Sequence, residues 1–155
     1  MHRLRNIMSA VVPITADELP AVPFFNAQQL FASNIQMISF QNGSGIRFLT
    51  EYGQYPAPVN NHEMFYHFQG FSDDGDYYIV AIFPITVPAL AETADAGSPL
   101  PSGGILYPFF ADPNVDTLQK YYQDVANLLS ATANEAFTPT IGQLDLLIQS
   151  MQIAP

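Results

Sequence analysis

The densest run of metal-capable and acid–base side chains is His62-Glu63-Met64-Phe65-Tyr66-His67, two imidazoles bracketing a carboxylate. Zinc hydrolases of the H-E-x-x-H type need histidines four residues apart, because a helix then turns both rings toward one metal. Here they are five apart. On a helix the extra residue swings the second ring about 140° away, and on a strand an odd offset sends the rings to opposite faces. The spacing argues against zinc and predicts strand histidines that face solvent.

Asp73, Asp74 and Asp76 crowd carboxylates around Gly75, a composition that calcium accepts. The run lacks the D-x-D-x-D-G spacing and the later bidentate glutamate. A hairpin turn chosen for its backbone geometry is the first expectation, and a calcium site the minor alternative. Gly43-Ser44-Gly45 is only a fragment of the G-x-S-x-G nucleophile elbow. No G-x-x-x-x-G-K-S/T phosphate loop follows it, and no cofactor motif is present. Glu51, Glu63 and the Asp73–Asp76 turn could meet as the paired carboxylates of a glycoside hydrolase, though nothing in their spacing marks them out.

Arg47 is more informative, because basic residues number 4 against 14 acidic ones, a net charge of −10. Beyond Arg3 and Arg5 the other cations are Arg47 and Lys120. Strand alternation puts Arg47 and Glu51 on one sheet face, and His67 and Gln69 of the next strand are expected to share it. The plainest outcome is a solvated Arg47–Glu51 ion pair, worth roughly 0–1 kcal/mol. The alternative is a shallow polar binding surface built from Arg47, Glu51, Phe65, His67 and Gln69, lidded by the loop of residues 86–104.

The elements that must position these residues follow from pattern. The chain has 155 residues, 48% of them apolar and 12% charged, enough for a real core and too apolar for disorder. So few bases build no stripe that could neutralise phosphates, which excludes nucleic acid as a partner and disfavours an anionic membrane. No stretch approaches the ~18 apolar residues of a membrane span, so direct membrane insertion is not expected. There is no cysteine, hence no disulfide or thiolate metal site.

Residues 1–23 read as an extended, proline-bearing lead-in, the remnant of an upstream segment, and 24–155 as a single domain. Asn26 is placed to cap a short helical turn. Alternating runs over 31–41 and 46–52 flank Asn42-Gly43-Ser44-Gly45, a hairpin signal. A third strand is predicted over 63–71. A fourth over 77–83 is an unbroken apolar run, the pattern of a strand covered on both faces. Residues 84–104, rich in proline and glycine, read as a long surface loop. Asp112-Pro113 starts a helix to about Ala133, burying Leu118, Tyr122, Val125 and Leu129 and pairing Asp116 with Lys120. Thr138-Pro139 starts another, with Ile141, Leu144, Leu147, Ile148 and Met151 as its stripe, and residues 151–153 could finish as an edge strand. The expected fold is α+β: an antiparallel four- to five-stranded meander with two C-terminal amphipathic helices packed on one face.

The stretch Phe40-Gln41-Asn42-Gly43-Ser44-Gly45-Ile46-Arg47-Phe48-Leu49-Thr50-Glu51-Tyr52 is followed by Asn60-Asn61, Phe65-Tyr66, Phe68-Gln69-Gly70-Phe71 and Asp73-Asp74-Gly75. Together they resemble a family of uncharacterised bacterial exported, lipoprotein-like proteins, over roughly residues 24–90. The resemblance implies an extracytoplasmic or cell-surface location and brings no activity with it. More distantly, the layout is similar to PsbP-like and Mog1-like domains, chiefly non-catalytic adaptors. The leading expectation is a non-catalytic binding or interaction domain for a protein or a polar small molecule. A hydrolase working through carboxylates or His67 is the second, and a structural module that oligomerises through an aromatic patch the third.

Overall fold

The computed structural model describes residues 4–6, 14–15, 19, 26–108 and 114–154. Four strands form one antiparallel sheet in chain order: β1 (Gln28–Phe40), β2 (Gly43–Gly53), β3 (Phe65–Ser72) and β4 (Tyr78–Pro84). Two helices follow, α1 (Val115–Ala131) and α2 (Ile141–Gln149), joined through a 3-10 turn at Asn134–Ala136. The expected α+β meander is therefore present. A fifth strand is not seen among the described residues: Met151 and Ile153 instead bond to the β1–β2 turn, through Gln41 N–H and both ends of the Asn42 amide.

The β1–β2 turn is tight, with Phe40 facing Gly43 across a two-residue connection. Gly45 faces Gly70 between β2 and β3, and a Cβ on Gly45 would come within 2.3 Å of Gln69 O and 2.5 Å of the Phe68 ring. That close approach lets the Phe68 ring lie over the bare backbone. At the β3–β4 turn Gly75 adopts φ 75°, a left-handed conformation that glycine takes without a Cβ clash.

Register fixes the two faces. Arg47, Leu49 and Glu51 of β2 lie with Tyr66 and Phe68 of β3 on the face that receives the helices. The core there joins Phe31, Ile38, Leu49, Tyr66 and Phe68 to Tyr121, Val125 and Leu129 of α1 and Ile141, Leu144 and Ile148 of α2. Ile46 and Phe48 lie on the other face, where Leu4 and Leu19 join them in a second cluster and Ile14 packs against it. Most of the expected lead-in lies outside the described residues, but these three side chains pack on the sheet.

Several elements differ from expectation. β2 and β3, the latter with His67 and Gln69 in it, are the strands buried along both faces, whereas β4 is half-exposed, as suits an edge. Asn26 precedes β1 in a bend. The predicted N-cap at Asp112-Pro113 lies outside the described residues; α1 is capped by Asn114, whose Oδ1 accepts from Thr117 N–H. Lys120 pairs with Asp124, one turn onward, and not with Asp116. α1 buries Tyr121 in place of Leu118 and Tyr122. α2 starts after Thr140, which forms a reciprocal capping box with Gln143, and Leu147 is exposed. The 84–104 segment is more than a surface loop: Ile85, Val87 and Leu90 enter the core, and Asn61 fixes it through Val87 N–H, Val87 O and Leu90 O.

Candidate functional site

The sheet face expected to be solvated is covered. Arg47 is 3% exposed and lies under α2, where its Nε and Nη2 donate to the two carboxylate oxygens of Asp145 at 3.1 and 2.9 Å. Nη2 also donates to Gln36 Oε1, and Nη1 to the carbonyl of Asn34. Tyr66 completes the set by donating its hydroxyl to Asp145 Oδ1 at 2.9 Å, and burial beside that carboxylate holds its own proton on more tightly than usual. The ion pair is with Asp145, so the Arg47–Glu51 pair does not form. A bidentate, buried guanidinium with these donors engaged is a clasp between β2 and α2.

His67 and Gln69 do not share Arg47's face. His67 lies opposite Phe48 and Gln69 opposite Ile46, on the side of the second cluster. The parity rule was right within each strand; the register between strands placed the two sets back to back. His67 is fully buried rather than solvent-facing, its ring 4.6 Å from that of Phe48 and 5.9 Å from that of Phe65. Neither of its ring nitrogens has a hydrogen-bond partner, and burial pushes its pKa down to about 4. Gln69 accepts from the Tyr78 hydroxyl at 2.9 Å. Phe65 is half-buried and stacks on Tyr52. His62, by contrast, is exposed beside Glu63 on the turn before β3.

Glu51 is 2% exposed. Loss of hydration pushes its carboxyl up to about 8 despite the Asn60 N–H that it accepts at 3.3 Å, and the nearby Glu63 charge adds to the rise. It sits behind the segment 57–60, which α1 pins in place. Tyr121 accepts from Val59 N–H, and Tyr122 both accepts from Ala57 N–H and donates to Ala57 O, each at 2.9 Å. The Tyr122 phenol is pushed up to about 12, mainly by burial. The acids expected to pair do not share a cleft: Glu51 is buried, Glu63, though near enough to raise the Glu51 pKa, is exposed, and Asp74 is engaged by the Ser72 hydroxyl and Asp76 N–H, which lower its pKa. Among the described residues no three His, Asp or Glu side chains converge on a metal position. None of their helices is long and apolar enough to cross a membrane.

A site that the sequence did not suggest lies at the edge of the sheet. A groove of about 1260 Å³ runs between β1 and α1, lined also by residues 53–56 and by Thr15 of the lead-in. Its β1 wall is every residue from 28 to 35, and its α1 wall includes Asp116, Gln119, Gln123, Asn127 and Ser130, one face of the helix. Seven of its side chains are amides, and Asp116 and Lys120 are its charges. Ser33 Oγ and Asn34 Oδ1, of the same strand, are themselves buried and have no hydrogen-bond partner. Asn34 sits at φ 51°, where the β1–β2 register shifts, and its N–H reaches Ser130 Oγ at 3.3 Å. Comparison with protein-family models, curated proteins and solved structures found no match for this chain.

Proposed function

We propose that this chain is a non-catalytic binding domain and that its site is the groove between β1 and α1. One observation carries the reading: a groove of about 1260 Å³ whose lining includes seven amide side chains and only two charged ones. Ligand sites commonly span about 300–1,000 Å³, so the space accommodates a sizeable occupant. The sheet faces offer no comparable place, because the helices cover one and Leu4, Ile14 and Leu19 pack on the other. The acids and His67 support a hydrolase less well, since Glu51 and His67 are buried and neither lines the groove. The low-charge surface and the resemblance over residues 24–90 favour an extracytoplasmic setting, which fractionation of cells producing the protein would test.

The groove reading is tested by filling it. Gln123 is exposed on the groove face of α1, so Gln123→Trp narrows the space while leaving the core alone. Neutral glycan arrays and a displayed library of random heptapeptides serve as probes. Binders of the wild-type chain should lose at least tenfold in affinity for the variant, with helicity and melting temperature unchanged. Binders indifferent to the tryptophan, or none at all, would sink the assignment.

A further inference from the structure

Glu51 sits where the sheet narrows. The β2–β3 ladder stops at Thr50 and Phe65, and beyond it β2 continues with β1 alone. The connection to β3 returns beside the acid, whose Oε2 accepts from Asn60 N–H at 3.3 Å. The two halves of that connection are held differently. Residues 60–64 are locked: Asn60 Oδ1 accepts from His62 and Glu63 N–H, Asn60 O accepts from Met64 N–H, and Asn61 N–H donates to Ala91 O. Residues 54–59 form no helix or strand. Val59 is buried, and two phenols tie this half to α1, Tyr122 on both backbone groups of Ala57 and Tyr121 on Val59 N–H. Gly53, Gln54, Tyr55, Pro56 and Tyr122 also line the groove. The segment beside the acid therefore supplies part of the groove's wall.

A negative charge on Glu51 has no positive one to meet it. Glu63, paired with the exposed His62, repels it from the turn before β3. Tyr121 and Tyr122 face it from α1, with Tyr107 edge-on to Tyr121. The cations among the described residues are engaged elsewhere: Arg47 by Asp145, Lys120 by Asp124, and Arg5 by Gly75 O and the Phe71 ring. A carboxylate buried without water or a cation is costly, whereas the bonds to the phenols are neutral and each is worth little net. An open form, in which water reaches Glu51, gains on the closed one tenfold for each pH unit above 4.5, and by pH 8 more than a thousandfold. Burial keeps both phenols protonated well past that point, Tyr122 up to about 12.

We propose that residues 54–59 form a latch on α1 that stays closed while Glu51 carries its proton and lifts when the carboxylate forms, withdrawing one wall of the groove. Control of binding in this way rests on the groove being the binding site. By linkage, an occupant that needs the closed wall would in turn hold the proton on Glu51.

The test uses the intact chain. Brief deuterium pulses at steps from about pH 6.5 to 9.5 read the protection of the Ala57 and Val59 amides against those of β3. In the wild type these two amides should come within tenfold of the unprotected rate by about pH 9, while β3 amides stay at least a hundredfold slower. Glu51→Gln, which cannot ionise, should keep both sets protected throughout. Tyr122→Phe, which removes both Ala57 bonds, should lower the opening pH by at least half a unit, and it decides the matter should Glu51→Gln not fold. Wild-type protection that persists to the highest pH, a loss shared by Glu51→Gln, or an opening pH that Tyr122→Phe leaves unmoved would overturn the latch. Binding is read with a neutral glycan or heptapeptide whose affinity depends on Gln123→Trp. Between about pH 6.5 and 9 it should weaken at least tenfold on the wild type and less than threefold on Glu51→Gln. If the amides open and the affinity holds, control of the groove is overturned. If no probe depends on Gln123→Trp, the groove reading fails and takes that control with it, while the deuterium pulses still decide the latch.

Discussion

Glutamine at position 51 should stabilise the protein by an amount that grows with pH. Glu51 keeps its proton in the folded state up to about pH 8, against an ordinary value of 4.5. At pH 4 both folded and unfolded chains carry that proton, and the acid costs nothing. From pH 4.5 upward the unfolded chain releases it and the folded chain does not. The folded state then binds more protons than the unfolded one, and stability falls as pH rises, until the folded carboxyl also ionises. At about 1.4 kcal/mol per pH unit, the loss reaches about 3.4 kcal/mol by pH 7 and about 4.4 kcal/mol by pH 8, where the folded carboxyl is half ionised. These are ceilings, because the glutamine amide nitrogen needs an acceptor that the acid proton does not. Urea unfolding of wild type and Glu51→Gln at pH 4, 5.5, 7 and 8 reads the difference directly. It should start near zero or slightly against the variant and climb in the variant's favour by more than 2 kcal/mol. A difference independent of pH would refute the buried-acid reasoning, and one that shifts against the variant with rising pH would reverse it.

His67→Leu should show the opposite sign. With its folded pKa pushed down to about 4 from 6.5, His67 contributes stability that is intact above pH 6.5 and lost as pH falls toward 4, a loss of about 3 kcal/mol that the variant escapes. In the wild type the two effects offset each other between pH 4.5 and 6.5, so urea midpoints should be nearly flat there as far as these two groups are concerned. Arg47→Ala strands the Asp145 carboxylate under α2 and should cost about 3–5 kcal/mol, whereas Arg47→Met with Asp145→Leu should recover most of that loss. A loss below about 1 kcal/mol for Arg47→Ala in urea denaturation would be the behaviour of a solvated pair and would contradict the clasp.

The strands and helices were legible because each carries a local signal. Asn42-Gly43, Asp74-Gly75 and the period of Ile141, Leu144 and Ile148 mark elements whatever surrounds them. Pairing partners carry no such mark. Which face of β3 meets Arg47 depends on register, and register here turns on Gly45 lying opposite Gly70, a contact between residues without side chains to read. The apolar run of β4 suggested a central strand, yet chain order put it at the edge, while β3 became central and buried His67 and Gln69. Asp145 could have been found: it is the only acid after Thr138, set inside an apolar helical stripe, and a strand arginine facing that stripe needs an anion. The groove could not, since the way α1 lies along β1 leaves no mark in either segment's own pattern.

The scarcity of charge acquires a structural reason once the faces are assigned. An ordinary antiparallel sheet keeps one face wet and shows polar alternation. Here helices pack on one face and the leucines and isoleucine of the lead-in pack on the other, so strand positions that would normally hold solvated lysines hold Ile46, Phe48, Leu49 and Phe68. The polar residues left on these strands are bonded inward, as Arg47 and Gln69 are, or buried neutral, as Glu51 and His67 are at neutral pH. What the sheet can still offer a partner is its edges. β4 is short, seven residues, and half-exposed. β1 is thirteen residues long, and its first half borders a helix-walled groove. A long free edge in open solvent invites indiscriminate pairing, and folds commonly cover or bend it. Along this one α1 runs beside the strand, Phe31, Ala32 and Ser33 are buried, and the register shift after Ser33 interrupts the run.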